Sequence, residues 1–133
     1  MNTLKIAIQK SGRLHDESIQ ILKDCGISVY NGNDQLKVTA SNFPLEVYYL
    51  RNSDIPQYLI DGVVDIAIVG DNLLVEKGQN IQIAEKLGFS KCKVSVAVPK
   101  NFNYNSIQDL NGLRVATSYP KTVVDYFSSK GIS

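Results

Sequence analysis

The residues best suited to chemistry stand together near the start of the chain, in Gln9-Lys10-Ser11-Gly12-Arg13. Two cations, a hydroxyl donor and a glycine within four positions are what a phosphate or diphosphate requires. Lys10 and Arg13 supply charge, Ser11 a hydrogen bond, and Gly12 allows close backbone approach. The loop is not a Walker loop, because the G-x-x-x-x-G-K spacing is absent. The other reading is a solvated loop in which Gly12 only turns the chain. Three further places repeat the arrangement of a polar loop after an apolar stretch. Gly70-Asp71 follows the apolar run 63–69; Gly70 would admit a ligand to the backbone, and Asp71 would cap the next helix or accept a ligand hydroxyl. Thr117-Ser118-Tyr119-Pro120 offers hydroxyl donors and, in Tyr119, a ring that could stack on a base or pack at an edge. Arg51 ends a strand-like segment and reads equally as a phosphate clamp or as the partner of Asp54.

These positions make sense only if elements hold them at one edge. Residues 4–9 alternate and are β-rich, so they read as a strand that runs into the Lys10 loop. Leu14, Ser18, Ile21, Leu22 and Cys25 recur at helical spacing, with Gly26 as the stop. Asn31-Gly32-Asn33-Asp34 reads as a turn, and residues 36–40 and 45–50 as two strands. Ser53 or Asp54 is expected to cap a helix that carries Pro56 in its first turn and ends at Gly62. The run 63–69, broken only by Asp65, suits a strand covered on both faces, with Asp65 pinning its entry. A short helix over 71–77 follows, then strands over 81–87, 93–98 and 113–117. Ser106 and Asp109 form a capping-box start to a helical turn, and 122–130 reads as a helix. Strand, loop and helix thus recur at least three times, which implies an α/β fold with a largely parallel sheet. In such sheets ligands bind at the carboxyl ends of the strands, and helix N-termini favour anions.

Composition excludes several classes. The 133 residues are 44% apolar and 20% charged, as in ordinary globular domains rather than disordered or coiled-coil chains. Fourteen Lys and Arg against thirteen Asp and Glu give a net charge of +1, so no global field steers the chain to nucleic acid or an anionic membrane. Seven tyrosines are spread without basic interleaving, which argues against a single-strand nucleic-acid groove. Cys25 and Cys92 have no CxxC or histidine partner at ligand spacing and read as buried or semi-buried thiols of a reducing compartment. His15, the single histidine, has no nucleophile at triad spacing and reads as a surface residue. The N-terminus has no basic stretch followed by an apolar run, and no apolar segment approaches a membrane span. A cytoplasmic protein is expected.

Five motifs in order carry a resemblance that none carries alone. They are Ile6-Ala7-Ile8-Gln9-Lys10-Ser11-Gly12-Arg13-Leu14, Cys25-Gly26-Ile27, Asp54-Ile55-Pro56, Asp61-Gly62-Val63-Val64-Asp65-Ile66-Ala67-Ile68-Val69-Gly70 and Arg114-Val115-Ala116-Thr117-Ser118-Tyr119-Pro120. Together the chain resembles the ATP phosphoribosyltransferase family over essentially its whole length, in the form of the long, hexameric type. The resemblance implies a two-lobed, type II periplasmic-binding-protein-like α/β architecture, with residues 1–98 as lobe one and 99–133 as the start of an incomplete lobe two. It implies transfer of the phosphoribosyl group of phosphoribosyl pyrophosphate to N1 of ATP, with Mg²⁺ accompanying the phosphorylated substrates, in a homo-oligomer (dimer to hexamer) of the full-length protein. It matches Lys10, Ser11, Gly12, Arg13, Arg51, Asp71 and Tyr119 to nucleotide and phosphate contacts and assigns no catalytic residue. The reading that competes with it is a non-catalytic effector- or solute-binding lobe.

The end of the chain, Lys130-Gly131-Ile132-Ser133, reads as a helix end entering a new strand. The family's acidic Thr-Gly-Thr-type loop for phosphoribosyl pyrophosphate is absent from these 133 residues. The chain alone is therefore expected to be inactive. Formation of phosphoribosyl-ATP by the purified 133-residue chain would contradict that expectation.

Overall fold

The computed structural model describes residues 2–30, 36–77, 81–91 and 93–133. The expected turn at 31–34 and Cys92 lie outside the described residues. The chain runs β1 (Leu4–Gln9), α1 (Arg13–Asp24), β2 (Lys37–Thr39), β3 (Leu45–Leu50), α2 (Ile55–Ile60), β4 (Ile66–Ala67), α3 (Asp71–Lys77) and α4 (Pro120–Ser129). Short 3₁₀ turns stand at Asn52–Asp54 and Ile107–Leu110. This is a mixed α/β fold whose described residues form one four-stranded sheet in the order β2-β3-β1-β4. β1 pairs in parallel with β3 and β4, and β2 pairs antiparallel to β3.

β1 is central, so its residues are covered on both faces. Ile6 and Ile8 join Leu22, Val38, Leu45, Val47 and Tyr49 beneath α1. Ala7 faces the other way, into Leu50, Ile55 and Val64. A third apolar cluster, Leu110, Phe127 and Ile132, lies in the last third of the chain. α1 ends as its sequence demands. Gly26 takes φ +77°, and Gly26 N and Ile27 N donate to the carbonyls of Lys23 and Leu22 at 2.9 Å each, closing a Schellman motif. Asp65 pins the entry to β4, as expected: its carboxylate accepts from Lys5 N at 2.9 Å while its own N–H donates to Lys5 O at 2.8 Å.

Several expectations are corrected. The segments 81–87, 93–98 and 113–117 form no strand ladder among the described residues. Val94, Val96, Val98, Leu113 and Val115 are all exposed. Alternating β-branched residues state a propensity, but a strand exists only where a second strand accepts its hydrogen bonds. The run 63–69 contributes only Ile66–Ala67 to the ladder and is not covered on both faces, since β4 is the sheet edge and Ile66 is 44% exposed. Neither Ser53 nor Asp54 caps α2 with its side chain. The 3₁₀ turn feeds the helix instead, with Asp54 N donating to Arg51 O at 2.9 Å, and Pro56 needs no N–H partner there. Cys25 is exposed, not buried, because it is the C-cap of α1, where the chain turns away from the core. His15 is buried rather than on the surface.

Candidate functional site

Parallel pairing brings the candidate residues to one edge. β1 and β3 are in register from Leu4↔Leu45 to Gln9↔Leu50, so both strands end together. Lys10 N donates to Leu50 O at 2.9 Å, which extends the pairing by one step. Lys10 and Arg51 therefore leave the sheet side by side, about 4.8 Å apart as neighbouring strands are. β4 runs the same way on the other flank of β1, with Ala7↔Ala67, and delivers Gly70 and Asp71 to the same edge.

Between them lies the N-terminus of α1. Gly12 is its N-cap, with φ +89° and ψ −168°, a conformation that glycine adopts without strain. Among the described residues no side chain caps the helix there, so the first-turn N–H groups face the edge without a side-chain acceptor. Lys10, Ser11, Gly12 and Arg13 are all exposed around this helix end. Arg51 is 77% exposed and meets Asp54 only at 3.9 Å, a loose pair that leaves its guanidinium able to reorient toward an anion. Asp71 opens α3, exposed, where a carboxylate meets the positive end of the helix.

Tyr119 arrives from far along the chain. Its hydroxyl accepts from Asn72 Nδ2 at 3.1 Å, which ties the 117–120 loop to the start of α3. Thr117 Oγ1 accepts from Tyr119 N at 2.9 Å. All seven candidates thus reach the carboxyl edge of the sheet or its α3 flank.

Comparisons with known proteins identify the family. The family model described as HisG: ATP phosphoribosyltransferase matches residues 51–133. The chain belongs to the ATP phosphoribosyltransferase family. It is 50% identical over 129 residues to the ATP phosphoribosyltransferase of Cytophaga hutchinsonii, covering 97% of this chain and 45% of that protein. With the ATP phosphoribosyltransferase of Parabacteroides distasonis the identity is 43%, over 97% of this chain and 46% of the relative. The chain thus spans somewhat less than half the length of these relatives. A solved structure of the ATP phosphoribosyl transferase (HisG:HisZ) complex from Thermotoga maritima aligns with a TM-score of 0.66 at 26% identity, over 98% of this chain and 61% of that one.

In this ATP phosphoribosyltransferase family member, His15 shapes the loop from below. It is 7% exposed, and its Nδ1 lies 2.9 Å from the Gln9 carbonyl at the end of β1. Its ring stands 5.6 Å from that of Tyr49. The spacing of His15, Ser18 and Leu22 puts all three on the buried stripe of α1, a signal the sequence already held. Asn72 and Glu76 carried no such signal, because their partners lie more than forty positions away.

Glu76 receives Lys121 N at 2.9 Å and Thr122 N at 2.8 Å at the start of α4. Desolvation raises its carboxyl, but these hydrogen bonds and the Lys121 charge outweigh it and hold the group below its ordinary value of 4.5. Lys121 Nζ is itself 3.1 Å from Asp125. A depressed carboxyl stabilises the contact fully above 4.5 and loses it as pH falls through the lower folded-state value. The amide proton shifts of Lys121 and Thr122 are expected to step in that acidic range and to lose the step in Glu76→Gln. Flat shifts in the parent protein would contradict this.

Among the described residues, no group of three His, Cys, Asp or Glu side chains is placed to hold a metal ion, and no helix is long and apolar enough to cross a membrane.

Proposed function

We propose that this chain carries the nucleotide- and phosphate-binding edge of an ATP phosphoribosyltransferase. That enzyme joins the phosphoribosyl group of phosphoribosyl pyrophosphate to N1 of ATP and releases pyrophosphate, the first step of histidine biosynthesis. One observation carries the reading: the side-chain-uncapped N-terminus of α1, flanked by Lys10, Arg13 and Arg51 at the joint end of two parallel strands. Backbone N–H groups, a helix dipole and exposed cations together suit a polyphosphate.

The chemistry asks for little else. A neutral ring nitrogen attacks an anomeric carbon, so no strong base is required, and the main need is positioning and stabilisation of the departing diphosphate. Lys10, Arg13 and Arg51 would hold negative charge, and Tyr119 would face the base. Mg²⁺ would enter with the phosphorylated substrates; the described residues offer no ligand cluster for it. We further infer two lobes, residues 1–98 and 99–133, supported by the separate apolar cluster of Leu110, Phe127 and Ile132. A cytoplasmic homo-oligomer of the full-length protein completes the reading.

Titration calorimetry tests it. ATP, AMP and inorganic diphosphate are expected to bind, and free amino acids are not. Binding of amino acids without nucleotide would instead favour a non-catalytic effector lobe.

A further inference from the structure

α3 projects Asn72 and Glu76 from one face, four positions and so about one helical turn apart. Both grip the segment that carries Tyr119. Asn72 donates to the Tyr119 hydroxyl at 3.1 Å, while its own Oδ1 accepts from Leu73 N at 3.0 Å. The Asn72 side chain is seated directly over Gly70, where a Cβ would stand only 2.6 Å from Oδ1, so a residue larger than glycine would push it aside. The Asn72 side chain fills the space expected for a ligand beside Gly70.

Glu76 acts one turn further on. Tyr119 is the N-cap of α4 but makes no capping bond with its side chain, and Pro120 has no N–H. The next two N–H groups, of Lys121 and Thr122, are both taken by the Glu76 carboxylate. A cap normally made within one helix is here supplied from another. None of the three apolar clusters among the described residues joins α3 to α4. Directional polar bonds therefore orient the contact, beside the buried Leu73 of α3.

We propose that Asn72 and Glu76 are positioning residues that fix the Tyr119 ring for the base of an adenine nucleotide held at the sheet edge. The proposal rests on the nucleotide reading given above. Asn72 sets the ring through the hydroxyl, and Glu76 sets the backbone that follows it. Neither side chain belongs to the cationic loop at Lys10–Arg13, so phosphate capture and base placement separate onto different residues.

Calorimetry with two probes, AMP and inorganic diphosphate, tests this on the 133-residue chain. Asn72→Ala and Tyr119→Phe are each expected to weaken AMP binding about fivefold, as for loss of one orienting hydrogen bond of about 1 kcal/mol. Asn72→Ala combined with Tyr119→Phe is expected to be no weaker than Tyr119→Phe alone, because Asn72 acts through the hydroxyl. Glu76→Ala is expected to weaken AMP binding, and Glu76→Gln, which keeps one oxygen acceptor, to recover part of it. Diphosphate affinity and far-ultraviolet dichroism are expected to stay at the parent values throughout. Parent-like AMP binding in Asn72→Ala, or additive losses in the double variant, would overturn the proposal while leaving the nucleotide reading intact. A parent chain that binds diphosphate but not AMP would overturn both.

Discussion

Replacing Lys10 and Arg13 together with alanine is expected to weaken inorganic diphosphate and ATP binding by about 100-fold or more. Hydrogen bonds to charged groups contribute about 1.5–3 kcal/mol each, and the lower end applies here because both side chains are exposed and screened. Two such losses give about 3 kcal/mol, or slightly over two decades in affinity. The fold is expected to survive, because neither residue belongs to an apolar cluster. Calorimetry at low salt and again at about 0.5 M salt checks the cause, since a charge-driven difference shrinks as the screening length falls. Retained diphosphate affinity in the double variant would remove the loop from the site. Arg51→Ala is expected to act in the same direction and less strongly, because its Asp54 partner already offsets part of its charge.

The second large effect lies in the core. Ile8→Ala is expected to cost about 2–5 kcal/mol, against a total stability of about 5–15 kcal/mol for a domain. Ile8 is 0% exposed, on the central strand, and packs with Leu22, Val47 and Tyr49 beneath α1. Urea unfolding followed by circular dichroism measures it as a lower midpoint. Leu36→Ala, at a residue 71% exposed, serves as the reference and is expected to shift the midpoint little. Equal midpoints for the two variants would show that β1 does not carry the core.

Elements whose signals are local are legible in the sequence. α1 announces itself by apolar residues at helical spacing closed by Gly26, and the structure returns Arg13–Asp24 with the Schellman bonds in place. β1 and β3 appear over the residues expected of them, because two local β-rich runs find parallel partners in each other. The Lys10–Arg13 loop was legible for the same reason: a strand end, a glycine and two cations are all within reach of one another in sequence. Five ordered motifs also carried the family, which the match over residues 51–133 then established.

The rest depends on partners far away in the chain. Periodicity predicted strands over 81–87, 93–98 and 113–117, but no second strand pairs with them among the described residues. Arg51 reaches the loop only because β3 lies parallel to β1 in the register Gln9↔Leu50, and the sequence does not state register. His15 is buried because its ring turns under the end of β1, toward the Gln9 carbonyl and Tyr49. Asn72 and Glu76 acquire roles only when α3 meets α4, across gaps of 47 and 45–46 positions. Side-chain type and spacing decide what a segment is able to become. Which hydrogen-bond donor meets which acceptor across the fold is decided by packing, and that is why the cations of this edge could be read from the sequence and the clamp on Tyr119 could not.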